Sequence, residues 1–162
     1  ECFVTTVSVT AMIMLIAAAA FYLNFVLGLM GVPQALANFA SQLGTSPLVM
    51  LAVLTVFYLI LGCFLDALAM IIGTIPIVFP LITALGIDPV WFGIYLVVMA
   101  ELALITPPVG MNLYVVQGIR KEGLITDVIV GTLPFLVMMM LLVVLLVVWP
   151  DLALWLPRVS FG

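Results

Sequence analysis

Residues 135–149 read FLVMMMLLVVLLVVW, fifteen consecutive side chains without a charge, hydroxyl or amide. Such a run has no polar face to turn toward water. It does not stand alone, because apolar sequence also fills residues 4–30, 45–61, 67–85 and most of 90–119. Of the 162 residues, 68% are hydrophobic and 6% are charged. A water-soluble domain of this length has too small an interior to hide that much apolar surface. The fold is therefore built for the bilayer, as an all-α polytopic membrane protein.

The rare polar residues exclude several function classes. Three basic against seven acidic residues give a net charge of -4, too few cations for a nucleic-acid partner. The absence of histidine removes His-based catalysis and His metal sites. With no serine beside a plausible base and no paired aspartates, no covalent chemistry is expected, so the chain does not read as an enzyme. Cys2 and Cys63 belong to no motif, and Cys63 sits in an apolar run, which argues against a disulfide. The sequence starts at Glu1 without an initiator Met or a signal-peptide pattern. It reads as a fragment, or the C-terminal part, of a longer membrane protein.

Along the chain, residues 1–44 form one long span, with Asn24 as its main polar interruption, followed by a break at Gly31-Val32-Pro33 and a short interfacial helix. Residues 45–149 form the next unit. Within it, residues 45–85 are either two full helices or a re-entrant hairpin with its tip near Asp66. Gly86-Ile87-Asp88-Pro89 is a turn, residues 90–119 are an interrupted helix, and residues 127–149 are the last span. Residues 150–162, with Trp155 and Arg158, read as an interfacial tail.

The interruption is ITPPVG, residues 105–110. Pro107 and Pro108 remove two backbone donors and disfavour helical geometry in the residues before them. Gly110 permits dihedrals that other residues resist. Carbonyls near Leu104, Ile105 and Thr106 thereby lose their helical partners. Irregular backbone at membrane depth is tolerated only where it is buried in protein or lines a cavity. By length, the segment is one crossing helix broken near its middle or a second re-entrant hairpin. Freed carbonyls with the Thr106 hydroxyl suit a small hard cation such as Na+. The N–H groups opening the second half-helix suit an anion. Broken helices of this kind recur as binding devices in secondary transporters. A lone proline generally only kinks a membrane helix, and that reading stands beside the binding one.

The stretches FLDALAMI with a following proline, GIDPVWFG and ITPPVGMNLYVV, together with the upstream TAMIMLIAAAA and GVPQALA, resemble the C-terminal half of the large membrane subunit of TRAP transporters (tripartite ATP-independent periplasmic, DctM type). The resemblance covers nearly the whole chain in order and spacing. It implies the second half of an inverted-repeat, elevator-type carrier, in which residues 45–149 form half of the transport domain. Residues 45–85 are then a re-entrant helical hairpin and residues 90–119 a discontinuous transmembrane helix. It also implies a bacterial inner-membrane location, Na+ as coupling ion with no other cofactor, and an organic-acid substrate such as a dicarboxylate, sialic acid, keto acid or sugar acid. The implied partners are a small membrane subunit and a periplasmic substrate-binding protein. A non-transporting helical scaffold is the alternative.

On this reading the ion site is built from Thr106, Pro107, Pro108, Val109 and Gly110, facing Gly73 and Asp66 of the hairpin. Thr74, Thr106 and Asn112 face the substrate. Gly73 and Thr74 are expected to open the backbone near Thr106, or else to serve close helix packing. Asp66 is a polar tip residue or a helix N-cap. Glu101, one turn before the break, is expected to hydrogen-bond to freed backbone groups. Asn112 faces substrate or bonds a neighbouring helix. Arg120 and Lys121, the one basic cluster, are assigned to the cytoplasm, which places Asp88 outside and the C-terminus in the periplasm.

Overall fold

A computed structural model describes residues 2–42, 44, 46–107, 110–120 and 123–161. The described residues form eight helices joined by turns. In chain order these are α1 (Cys2–Leu29), α2 (Val32–Gln42), α3 (Pro47–Gly62), α4 (Ala67–Ala84), α5 (Pro89–Leu104), α6 (Met111–Arg120), α7 (Ile125–Val148) and α8 (Asp151–Phe161). Three of them, α1, α4 and α7, are long and apolar enough to cross a membrane. With no strand among these residues, the all-α polytopic membrane reading is correct.

Local chemistry sets the helix starts. Ser46, Asp66 and Asp88 are N-caps whose side chains accept backbone N–H bonds from the first turns of α3, α4 and α5. Pro47 and Pro89 follow two of these caps, where a missing N–H costs nothing. Helix α7 opens with Asp127 accepting from the Leu124 N–H at 3.2 Å.

Helix α5 is the centre of the bundle and packs against α3, α4, α7 and α8. Tyr95, Met99 and Leu102 on it have no exposed surface. The Trp91 and Tyr95 rings stack with centroids 5.5 Å apart. On the far side of α4 lie α1 and α2. Helix α1 buries none of its residues within this chain, as expected of a helix whose neighbours are lipid or further protein.

Two prolines leave carbonyls that side chains of other helices then serve. Pro76 lies inside α4 and has no N–H for the Ile72 carbonyl; Asn24 of α1 donates its Nδ2–H to that oxygen at 3.1 Å. Pro150 likewise has none for Leu146, and the buried Trp91 indole donates to the Leu146 carbonyl at 3.0 Å. Neither group could turn to water inside a bilayer.

One expectation is corrected here. Gly73 and Thr74 do not open the backbone, because α4 runs as a helix from Ala67 through Pro76 and Pro80 to Ala84. The Asn24 bond shows how the chain tolerates Pro76 without breaking there. Within this chain a β-carbon at Gly73 would meet open space.

Candidate functional site at the helix break

Helix α5 ends by tightening. The Ile105 N–H donates to the Leu102 carbonyl and the Thr106 N–H to the Ala103 carbonyl, both at 3.2 Å, in three-residue steps. The Ala103 carbonyl thereby replaces the donor that Pro107 lacks. Leu104 has no such recourse, because the residues three and four positions on are both prolines. No hydrogen bond to its carbonyl occurs among the described residues. The Thr106 hydroxyl donates to the Leu102 carbonyl at 2.7 Å, which leaves its oxygen lone pairs available.

Gly110 then takes φ +30. A β-carbon there would lie 3.0 Å from the Thr106 carbonyl oxygen, 3.1 Å from that of Leu104 and 3.0 Å from Leu113 Cδ1. Glycine is favoured, because a side chain would be strained at this φ and two carbonyl oxygens crowd the point where α6 begins. The Leu113 N–H donates to the Gly110 carbonyl at 2.8 Å and starts α6. Pro108 and Val109, assigned to the same cluster from sequence, lie outside the described residues.

The turn between α3 and α4 meets this break. Gly62 packs directly on Ala103, and a β-carbon added at 62 would stand 2.1 Å from the Ala103 β-carbon. Next to it the buried Cys63 thiol donates to the Leu59 carbonyl at 3.2 Å. Its sulfur lies 4.0 Å from the Thr106 carbonyl and 3.9 Å from that of Pro107. The turn is braced from behind. Tyr58 and Thr74 join the two arms through their hydroxyls at 3.0 Å, and Thr55 and Tyr95 join α3 to α5 at 2.8 Å.

Other residues singled out from sequence fall around this contact rather than in it. Asp66 is an N-cap, one carboxylate oxygen accepting from Leu68 N–H at 2.9 Å and Ala69 N–H at 3.0 Å. It also lines a cleft of about 190 Å³ with Met12, Ile13 and Ile16 of α1. Thr74 is buried, and its hydroxyl donates to the Met70 carbonyl at 2.8 Å besides meeting Tyr58. Asn112 and Glu101 are exposed. Glu101 makes no hydrogen bond to freed backbone groups among the described residues, contrary to expectation, because its side chain points away from the packed face of α5. The close approaches of Gly62 and Cys63 were not foreseen. Their one sequence signal is position, directly ahead of a capping aspartate at the hairpin turn.

The resulting surface joins backbone oxygens, one hydroxyl and the opening N–H groups of α6. No cluster of three His, Cys, Asp or Glu side chains occurs among the described residues. Ligation at this surface would rest on neutral oxygens.

An all-helical bundle with three helices long and apolar enough to cross a membrane, and with an oxygen-lined break between α5 and α6, defines a polytopic membrane protein. Residues 1–152 match the family described as tripartite ATP-independent periplasmic transporter, DctM component, and the chain belongs to that family. A C4-dicarboxylate TRAP transporter large permease protein of Vibrio cholerae is 35% identical over 153 residues, covering 94% of this chain and 34% of that protein. A sialic acid TRAP transporter large permease protein of the same organism is 32% identical, covering 97% and 36%. A 2,3-diketo-L-gulonate TRAP transporter large permease protein of Escherichia coli is 29% identical, covering 88% and 33%. The chain spans about a third of the length of these curated relatives.

Proposed function

We propose that this chain is the C-terminal part of the large permease subunit of a Na+-coupled carrier that imports an organic acid across the bacterial inner membrane. The observation that carries the proposal is the contact between the hairpin turn and the break, where Cys63 and Gly62 lie against Ala103 and the Thr106 and Pro107 carbonyls. A cation ligated by the carbonyls of Leu104 and Thr106 and by the Thr106 hydroxyl would draw these elements together. The N–H groups opening α6 would meet the substrate's acid group. The relatives' named substrates, a C4-dicarboxylate, sialic acid and diketogulonate, all carry carboxylates, which supports an organic acid here.

In this reading α3 and α4 are the arms of a re-entrant hairpin. At 16 residues, α3 is about 24 Å long, short of a core of about 30 Å, so length supports the hairpin through its first arm, α4 being long enough to cross. Helices α5 and α6 are the two halves of a discontinuous crossing. A soluble periplasmic protein delivers the substrate, and a small membrane subunit completes the assembly. The rest of the permease supplies a second, inverted repeat and much of the substrate pocket.

The deciding experiment is uptake by the full-length permease with its partners in proteoliposomes. Uptake that requires an inward Na+ gradient and the binding protein supports the carrier. Uptake indifferent to Na+ overturns the coupling ion, and no uptake with intact partners favours a structural subunit whose prolines only kink helices.

A further inference from the structure

We propose that Asn24 is a positioning residue for transport, which supplies to α4 the hydrogen bond that Pro76 withholds and so fixes the second arm of the hairpin to α1. Ile72 lies one turn before Pro76, so its carbonyl has no N–H of its own helix four residues on. The Asn24 Nδ2–H donates to it at 3.1 Å across 48 positions of sequence. The orientation of the amide follows from this contact, since its oxygen turned toward Ile72 would oppose two acceptors. The arrangement also leaves Asn24 Oδ1 buried without a partner. An apolar side chain would avoid that cost and would match most of α1, which is mainly apolar and carries no other amide. The amide is explained by the carbonyl it serves.

Its position gives the bond a role in the site. Helix α4 begins at Asp66, at the turn whose other residues, Gly62 and Cys63, rest on the break. Ile72 is six residues into that arm, about 9 Å along it. A bond there holds the arm in register with α1, and through the arm it holds the turn against the Thr106 carbonyl. The role in uptake rests on the carrier reading above; the bond itself does not.

The test is a double-mutant cycle in the full-length permease, with Asn24→Leu, Pro76→Ala and both together. Each is read by thermal midpoint and by half-saturating Na+ for uptake in proteoliposomes. Asn24→Leu leaves the Ile72 carbonyl unserved, and half-saturating Na+ rises by about tenfold with a lowered midpoint. Pro76→Ala restores an N–H four residues beyond Ile72, so in that background Asn24→Leu has little further effect. Strong non-additivity, with the double variant close to Pro76→Ala alone, is the expected result. Additive effects, or an Asn24→Leu protein identical to wild type, overturn the proposal. A midpoint cycle that couples while Na+ affinity does not would reduce Asn24 to a structural residue and also overturn it. If wild-type uptake ignores Na+, the carrier's coupling ion is wrong, and the same cycle read in midpoint and maximal uptake rate still decides for or against Asn24.

Discussion

Gly62 rests on Ala103 with no room for a side chain between them. The approach brings the end of α3 against the last turn of α5, next to the place where α5 stops. Any side chain at position 62 forces the hairpin turn away from the break. Gly62→Ala is expected to destabilise the full-length permease by about 1–3 kcal/mol, the usual range for overpacking, and to abolish most uptake. The clash is mainly with one atom, the Ala103 β-carbon. The exchanged pair Gly62→Ala with Ala103→Gly should therefore recover much of the thermal midpoint. Failure to recover would mean that the backbone crossing, rather than this pair, sets the separation.

Asp66 offers a choice between two roles that a pair of substitutions separates. Its carboxylate caps α4 through two N–H bonds. Asparagine is also a good N-cap but carries no charge, whereas alanine is neither. Asp66→Ala should cost about 1 kcal/mol of stability. Asp66→Asn should keep most of that stability and leave half-saturating Na+ nearly unchanged, as for a capping residue. A large loss of Na+ affinity in a well-folded Asp66→Asn permease would instead make the carboxylate an ion ligand.

Thr106 tests the oxygen cluster directly. Its hydroxyl hydrogen is committed to the Leu102 carbonyl, so the free side of the oxygen is an acceptor. Thr106→Ala should raise half-saturating Na+ by about tenfold, on the scale of one interaction with a charged group, with little change in maximal uptake. Thr106→Ser, which keeps the oxygen, should stay near wild type. Equal behaviour of the two variants would remove the hydroxyl from the site.

The break was legible in the sequence because its cause is local. Two prolines lack N–H groups and a glycine follows, so the loss of donors around Leu104 can be read residue by residue. The cap Asp66 is legible for the same reason, standing just ahead of an apolar run, whereas Asp88 is legible as part of a turn and its capping of α5 is not. Facing was not legible. Helices α4 and α5 are apolar on every side, so periodicity gives no clue to which face packs. That is why Glu101 was expected among backbone groups and lies exposed. The meeting of the Thr74 hydroxyl with Tyr58 is hidden for the same reason. Asn24 was visible as a polar interruption and Pro76 as a missing donor, but their pairing joins positions 24 and 72, which only the packing of α1 on α4 brings together.

The remaining prediction concerns sidedness. Arg120 closes α6, and its guanidinium approaches the Asp127 carboxylate of α7 at 4.0 Å, both side chains about half exposed. A basic residue at a helix end beside a polar turn favours the cytoplasmic face. If α5 and α6 are halves of one crossing, the start of α5 is then periplasmic, and α7 returns the chain so that α8 is periplasmic too. Val90, Ile119 and Val159 are all exposed, and none makes a capping bond through its side chain. Single cysteines there, in a full-length permease lacking Cys2 and Cys63, are suited to an impermeant thiol reagent applied to intact spheroplasts. Labelling is expected at 90 and 159 from outside and at 119 only after the membrane is opened. Positions 90 and 119 reacting from the same side would make residues 90–119 a second re-entrant hairpin. The carbonyls ending α5 and the N–H groups opening α6 would then both point toward the face opposite the one that α5 enters, and the ion and the acid would be reached from that one face. A single broken crossing instead lets them be presented to each face in turn.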